Sequence, residues 1–140
     1  MTAEQQLKNR AVLATLTGPR QRAGLLSLLA GEEGEHYENA LANVSRVWET
    51  MPKTYETEGQ GRAAVAHLHF FLGAADWWIV EKDADTDGEG QVQALGIADL
   101  GMGCRELGYI SIPEILAVGA ELDLYYQPST VGEIMERSVA

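Results

Sequence analysis

The strongest constraint on the fold is a change of hydrophobic period near residue 60. Before it, apolar residues recur at helical spacing; after it, they alternate in twos. Three helices account for the first fifty residues. Residues 3 to 16 form the first, Thr17-Gly18-Pro19 breaks it, and Pro19 opens a second that runs through Ala30. Gly31 and Gly34 interrupt the pattern. From Glu35 to Thr50, Tyr37, Leu41, Val44, Val47 and Trp48 make one apolar stripe that packs into the core, while Glu38, Asn39, Asn43, Ser45 and Arg46 lie off it. Pro52 ends this helix.

Strands follow. In Ala64–Leu72, Leu68 and Phe70 share one face and Val65, His67 and His69 the other. A turn at Gly73–Asp76 leads into a second strand, Trp77–Lys82, rich in aromatic and β-branched residues. A polar loop over residues 83–90 precedes a third strand at Gln91–Ala98, and a fourth forms around Gly108–Ile110. Ser111 then caps a short helix, Ile112–Val118, with Pro113 in its first turn. Leu122–Tyr126 is the last strand and Val131–Ser138 a terminal helix. The predicted class is α+β: an N-terminal helical segment, then a mainly antiparallel meander of four to five strands with one short helix between the last strands. Residues 1–50 are the helical segment packing on the sheet, and residues 51–140 the α+β domain.

Composition removes several function classes. The 140 residues fit one compact core. A net charge of −11 opposes direct binding to nucleic acid, which depends on Lys and Arg neutralising phosphates. The charge is uneven, +3 over residues 1–30 and −10 over residues 51–140. The longest apolar run, Gly24–Gly31, is far short of a membrane span, and the N-terminal residues lack the pattern of a secretion signal. One cysteine, Cys104, allows no internal disulfide, in keeping with a cytoplasmic protein.

Chemistry-bearing motifs are sparse. Asp83, Asp85, Asp87 and Gly88 match the opening of a calcium loop, but the closing bidentate Glu is replaced by Ala94 and the flanks read as strands. A solvated acidic loop is the better account. His67 and His69 project from the same face of one strand, with Glu81 on the next, a weak candidate metal set. Cys104 beside Arg105 is the one reactive-thiol candidate, with no partnering base. In Asp99-Leu-Gly-Met-Gly-Cys-Arg-Glu-Leu-Gly-Tyr-Ile-Ser-Ile112 the glycines at 101, 103 and 108 predict positive φ or close backbone approach. No Gly-Lys-Ser/Thr follows, so this is no phosphate loop. No cofactor motif is present.

Five segments together resemble the bacterial family known as domain of unknown function 2958: Pro52–Glu58, His69–Phe71, Trp77–Glu81 with Asp83, Asp99–Ile112, and Asp123–Pro128. The similarity spans about residues 52–135. It implies an origin on plasmids, phages or other mobile elements and a role in element upkeep or defence evasion, and it brings no catalytic residues with it. The chain departs from the family pattern at the shortened segment 117–121 and in the helical first fifty residues.

The candidate binding residues are Tyr55, Glu58, Trp78, Glu81, Asp99, Glu106 and Tyr109. The leading expectation is a non-enzymatic, acidic interaction protein of a mobile element that meets a basic protein partner and inhibits a host defence or DNA-processing complex. A small metal-dependent hydrolase using Glu81, Asp99, Glu106 and Tyr109 is the alternative, and a purely structural domain the third. Nothing in the pattern selects an oligomeric state, a homodimer included.

Overall fold

The computed structural model describes residues 1–83 and 93–137. Helix α1 (Ala3–Leu16) starts where the Thr2 hydroxyl accepts the Gln5 N–H at 3.1 Å. Its last carbonyls are taken by Arg22, which donates to Leu13 at 2.9 Å and to Ala14 and Thr17. Arg22 sits on α2 (Pro19–Leu29), so one guanidinium both ends α1 and fixes the corner between the helices. Helix α3 (Gly34–Thr50) buries Leu41 and Val44 of the expected stripe and half-buries Tyr37, Val47 and Trp48 against the same core, and it also buries Glu38 and Ser45, which lie off it. The reason is α1, packed along that flank. Asn9 donates to the Glu38 carbonyl at 3.0 Å, and Arg10 pairs with the Glu38 carboxylate at 2.6 Å.

A 3-10 turn at Gly61–Ala63 leads into the strands, and the segment read as one strand divides at His67. Its first part, β1 (Val65–Ala66), pairs in a separate two-stranded sheet with β7 (Ser129–Thr130). The second, β2 (Leu68–Leu72), forms a hairpin with β3 (Ala75–Glu81) through the two-residue turn Gly73-Ala74, Gly73 having a φ of +57°. The turn is tighter than expected, and β3 starts earlier. Strands β4 (Ala94–Asp99) and β5 (Arg105–Ile110) continue the meander. Strand β5 begins at Arg105, well before Gly108.

After β5 the chain leaves the meander. Helix α4 (Ile112–Ala117), capped by Ser111, carries it across to the far side, where β6 (Glu121–Leu122) pairs with β2. The antiparallel order is therefore β5-β4-β3-β2-β6. Strand β6 is shorter than expected, because Asp123 Oδ1 accepts the Tyr125 N–H at 3.0 Å and turns the chain out of the sheet. Helix α5 (Val131–Glu136) closes the described chain, with a reciprocal cap between Thr130 and Glu133.

The sheet is apolar on both faces. Leu68, Phe70, Trp77, Ile79, Ile110 and Leu122 pack against α1–α4 through Leu13, Leu16, Leu41, Val44, Ile112 and Leu116. Trp78, Val80 and Ile97 on the reverse face meet Ala64, Ala66, Val131 and Ile134. The N-terminal helices and the sheet thus share one core, while α5 and the small β1–β7 sheet cover only part of the reverse face. Among the described residues no helix is long and apolar enough to cross a membrane.

Candidate functional site

The uncovered part of the reverse face is where polar and aromatic residues gather. Alternation along β5 turns Arg105, Leu107 and Tyr109 to this face, opposite Asp99, Ile97 and Leu95 of β4. A β-bulge in β3 between Ile79 and Glu81 shifts the register, so that Glu81 stands opposite Leu95. Simple alternation would have put Glu81 on the helical side with Ile79. Instead it joins Val80 in the wall of a cavity of about 270 Å³, with Tyr55, Thr57, Glu58, Leu95, Leu107 and Tyr109 among the other lining residues.

Glu81 is 3% exposed, and its carboxylate accepts three hydrogen bonds. Oε1 takes the Tyr55 N–H at 2.9 Å; Oε2 takes the Thr57 N–H at 2.9 Å and the Thr57 hydroxyl. Glu81 therefore anchors the loop that carries Tyr55 and Glu58. Tyr55 has a φ of +71°, a conformation that costs a non-glycine residue about 1–2 kcal/mol. The anchored loop holds its ring outward, 69% exposed, across from Leu107 at 52% and Tyr109 at 63%.

Beside the cavity lies a fully paired cluster. Asp99 accepts the Gly101 N–H at 2.9 Å and the Arg105 Nε–H at 3.0 Å. The Gly101 amide, then the Arg105 side chain, hold the Asp99 carboxyl below its ordinary value of 3.8. Arg105 also donates to the Ile134 carbonyl and lies 5.1 Å from the centre of the Trp78 ring, so it ties α5 to the sheet. His69 also stacks on Trp78, with ring centres 5.3 Å apart. His69 is held on both ring nitrogens: Nε2 by Asp76 at 2.8 Å and Nδ1 by Asp123 at 3.0 Å.

Tyr55, Glu58, Glu81 and Tyr109 thus converge on one cavity, and Trp78 and Asp99 lie in the adjoining cluster. Glu106 is separated from all of them, since alternation turns it to the opposite face of the edge strand. The four groups assigned to a hydrolase therefore do not meet: Glu81 is bound within its loop, Asp99 by Arg105, and Glu106 is elsewhere. His67 and Glu81 take no part in the contacts of His69, and among the described residues no His, Cys, Asp or Glu group is arranged to hold a metal. Burial lowers the pKa of His67. Asp85, Asp87 and most of the calcium-like loop lie outside the described residues. Cys104 is exposed in the β4–β5 turn.

Residues missed in the sequence are Thr57, Leu107, Asp76 and Asp123. Leu107 was findable, because it shares the strand period of Tyr109. The partners of His69 were not, being far apart in the chain.

Among the described residues the fold is an α+β sheet with one face covered by helices and the other covered in part. The chain belongs to a family of proteins of unknown function (DUF2958), whose model matches residues 39–128. The match reaches back into α3, beyond the expected start at residue 52, so the family's part of the chain includes most of the helix at the centre of the helical layer. No curated protein and no solved structure matches the chain.

Proposed function

We propose that this protein is a non-enzymatic interaction protein of a mobile genetic element, which docks a basic protein partner and thereby inhibits a host defence or DNA-processing complex. The observation that carries the docking is the cavity wall. It joins exposed Tyr55, Leu107 and Tyr109 to the exposed carboxylate of Glu58, with Glu81 buried behind them as the anchor of the loop, and among the described residues no Lys or Arg lines it. Exposed aromatic surface beside fixed negative charge is the composition of a recognition patch for apolar and cationic side chains. The net −10 of residues 51–140 adds long-range attraction for a basic partner. The mobile-element role rests on the family resemblance.

The test is capture from bacterial lysate on the immobilised full chain at low and high salt, beside a Glu58→Lys, Tyr109→Ser double variant. The reading requires a basic protein held at low salt, released at high salt and absent from the variant. Capture that is salt-insensitive, or equal on the variant, overturns it.

A further inference from the structure

We propose that the outer edge of β5 takes an extended basic segment of a partner as a sixth strand, with one aromatic or branched apolar side chain seated in the cavity among Tyr55, Leu107 and Tyr109. This rests on the interaction reading above and specifies where and how the partner binds.

Hydrogen-bond phase across the sheet shows which backbone groups are on offer. In an antiparallel sheet each residue turns its N–H and C=O toward the same neighbour, and successive residues alternate. Asp123 N–H bonds the His69 carbonyl at 2.9 Å, so His69 faces β6. Its partner Trp78 then faces β4, Ile97 opposite Trp78 faces β3, and Leu107 opposite Ile97 faces away from the sheet. The two-residue turn closed by Leu72 and Ala75 gives the same phase. Leu107 and Tyr109 therefore present N–H and C=O outward, and among the described residues no strand or backbone group pairs with them.

The two sheet edges are treated differently. Strand β6 has only two residues, and the Gln21 side chain covers it, accepting the Leu122 N–H at 2.8 Å and donating to the Leu122 carbonyl at 2.9 Å. Strand β5 has six residues, and the run Leu107-Gly108-Tyr109-Ile110 contains no charge, proline or bulge to blunt it. Gly108 stands out within it: a Cβ there would meet nothing within 4 Å, and its φ is not positive. The fold does not require that glycine. A bare glycine in a strand suits the close approach of another chain.

Side-chain alternation then specifies the occupant. On one face of β5, Leu107 and Tyr109 stand with Tyr55 around a cavity of about 270 Å³, below the ~300–1,000 Å³ of small-molecule pockets and suited to one large side chain. On the other face Glu106 is exposed, with no ion-pair partner among the described residues. A strand with apolar residues toward the cavity and Lys or Arg toward Glu106 matches both faces. A second copy of this chain brings a like net charge of −11 toward Glu106 and so fits this edge less well than a basic segment.

The test uses the full chain, a short peptide that alternates Lys with Val around a central Phe, and the same peptide with Glu for Lys. Amide exchange is read residue by residue, with affinity measured for wild type, Leu107→Ala and Leu107→Pro. In the free protein the Leu107 and Tyr109 amides exchange fast while Glu106 and Gly108 are protected; the Lys peptide protects Leu107 and Tyr109 as well. Leu107→Pro, which removes an outward N–H that the fold does not use, weakens binding at least about tenfold more than Leu107→Ala. Binding of the Lys peptide without protection of these two amides overturns the edge site and leaves the interaction reading standing. Equal binding of the Glu peptide, or no binding of either, overturns the basic-segment proposal, while the salt-dependent capture still judges the interaction reading by itself. Protection that grows with protein concentration alone assigns the edge to a second copy and overturns the proposed occupant.

Discussion

Glu81 shows how much one residue does in this protein. Its two oxygens take two backbone amides and a hydroxyl from the Tyr55–Thr57 loop, and that loop supplies one wall of the cavity. Glu81→Gln replaces one acceptor with an amide donor aimed at a backbone N–H, and the Thr57 hydroxyl can reorient but the N–H cannot. The expected cost is about 1–3 kcal/mol in denaturant unfolding, with faster amide exchange at Tyr55 and Thr57. An unchanged stability would show that the carboxylate does not anchor the loop. Glu81 was legible as an acid following an aromatic strand. Its direction was not, because the bulge that turns it into the loop depends on pairing with β4.

The β4–β5 hairpin contains the glycine run, and its glycines divide: Gly101 and Gly103 both take the positive φ expected of them, +83° and +81°, and Gly108 does not. Gly101 has a φ of +83° and a Cβ there would stand 3.1 Å from the Ala74 Cβ, whereas Gly108 is in open space without positive φ. Gly101→Ala should therefore cost about 1–2 kcal/mol. Gly108→Ala should stabilise the strand by about 0.5–1 kcal/mol. Thermal melts of the two variants separate these outcomes, and a destabilised Gly108→Ala would show that the glycine serves the fold after all. The turn and a strand after it were readable from the glycines and from Tyr109 and Ile110. The strand's earlier start at Arg105 was not, because Arg105 is drawn into the sheet by Asp99, Trp78 and the Ile134 carbonyl.

At the scale of the whole molecule, acid should unfold the protein through carboxylates bound in the folded state. Asp99 is lowered by the Gly101 amide and then Arg105; Glu133 is lowered from its ordinary 4.5 by the Thr130 amide and hydroxyl. On acidification the unfolded chain takes up these protons first, so stability is full above the ordinary values and falls as pH drops through the lower folded ones. Urea unfolding from neutral pH down to about 3 should show that fall, and Arg105→Met should lower stability at neutral pH and flatten the slope. An unaltered slope in the variant would remove Arg105 as a cause. The net charge gives no reason to choose Asp99 and Glu133 among 21 acidic residues; only their hydrogen bonds do.

The sequence by itself determined the helical start, the switch to strands, the α+β class and the family, because period, capping and turn chemistry are local and each is written within a few neighbouring residues. Only the tertiary structure decided the crossing of α4 that puts β6 beside β2 and leaves β5, among the described residues, at the outer edge of the sheet. It also decided the burial of Glu38 under α1, the clasp of His69 by Asp76 and Asp123, and the gathering of Tyr55, Glu81 and Tyr109 around one cavity. These features join residues distant in the chain, and their partners are chosen by packing against a shared core, which no local pattern contains.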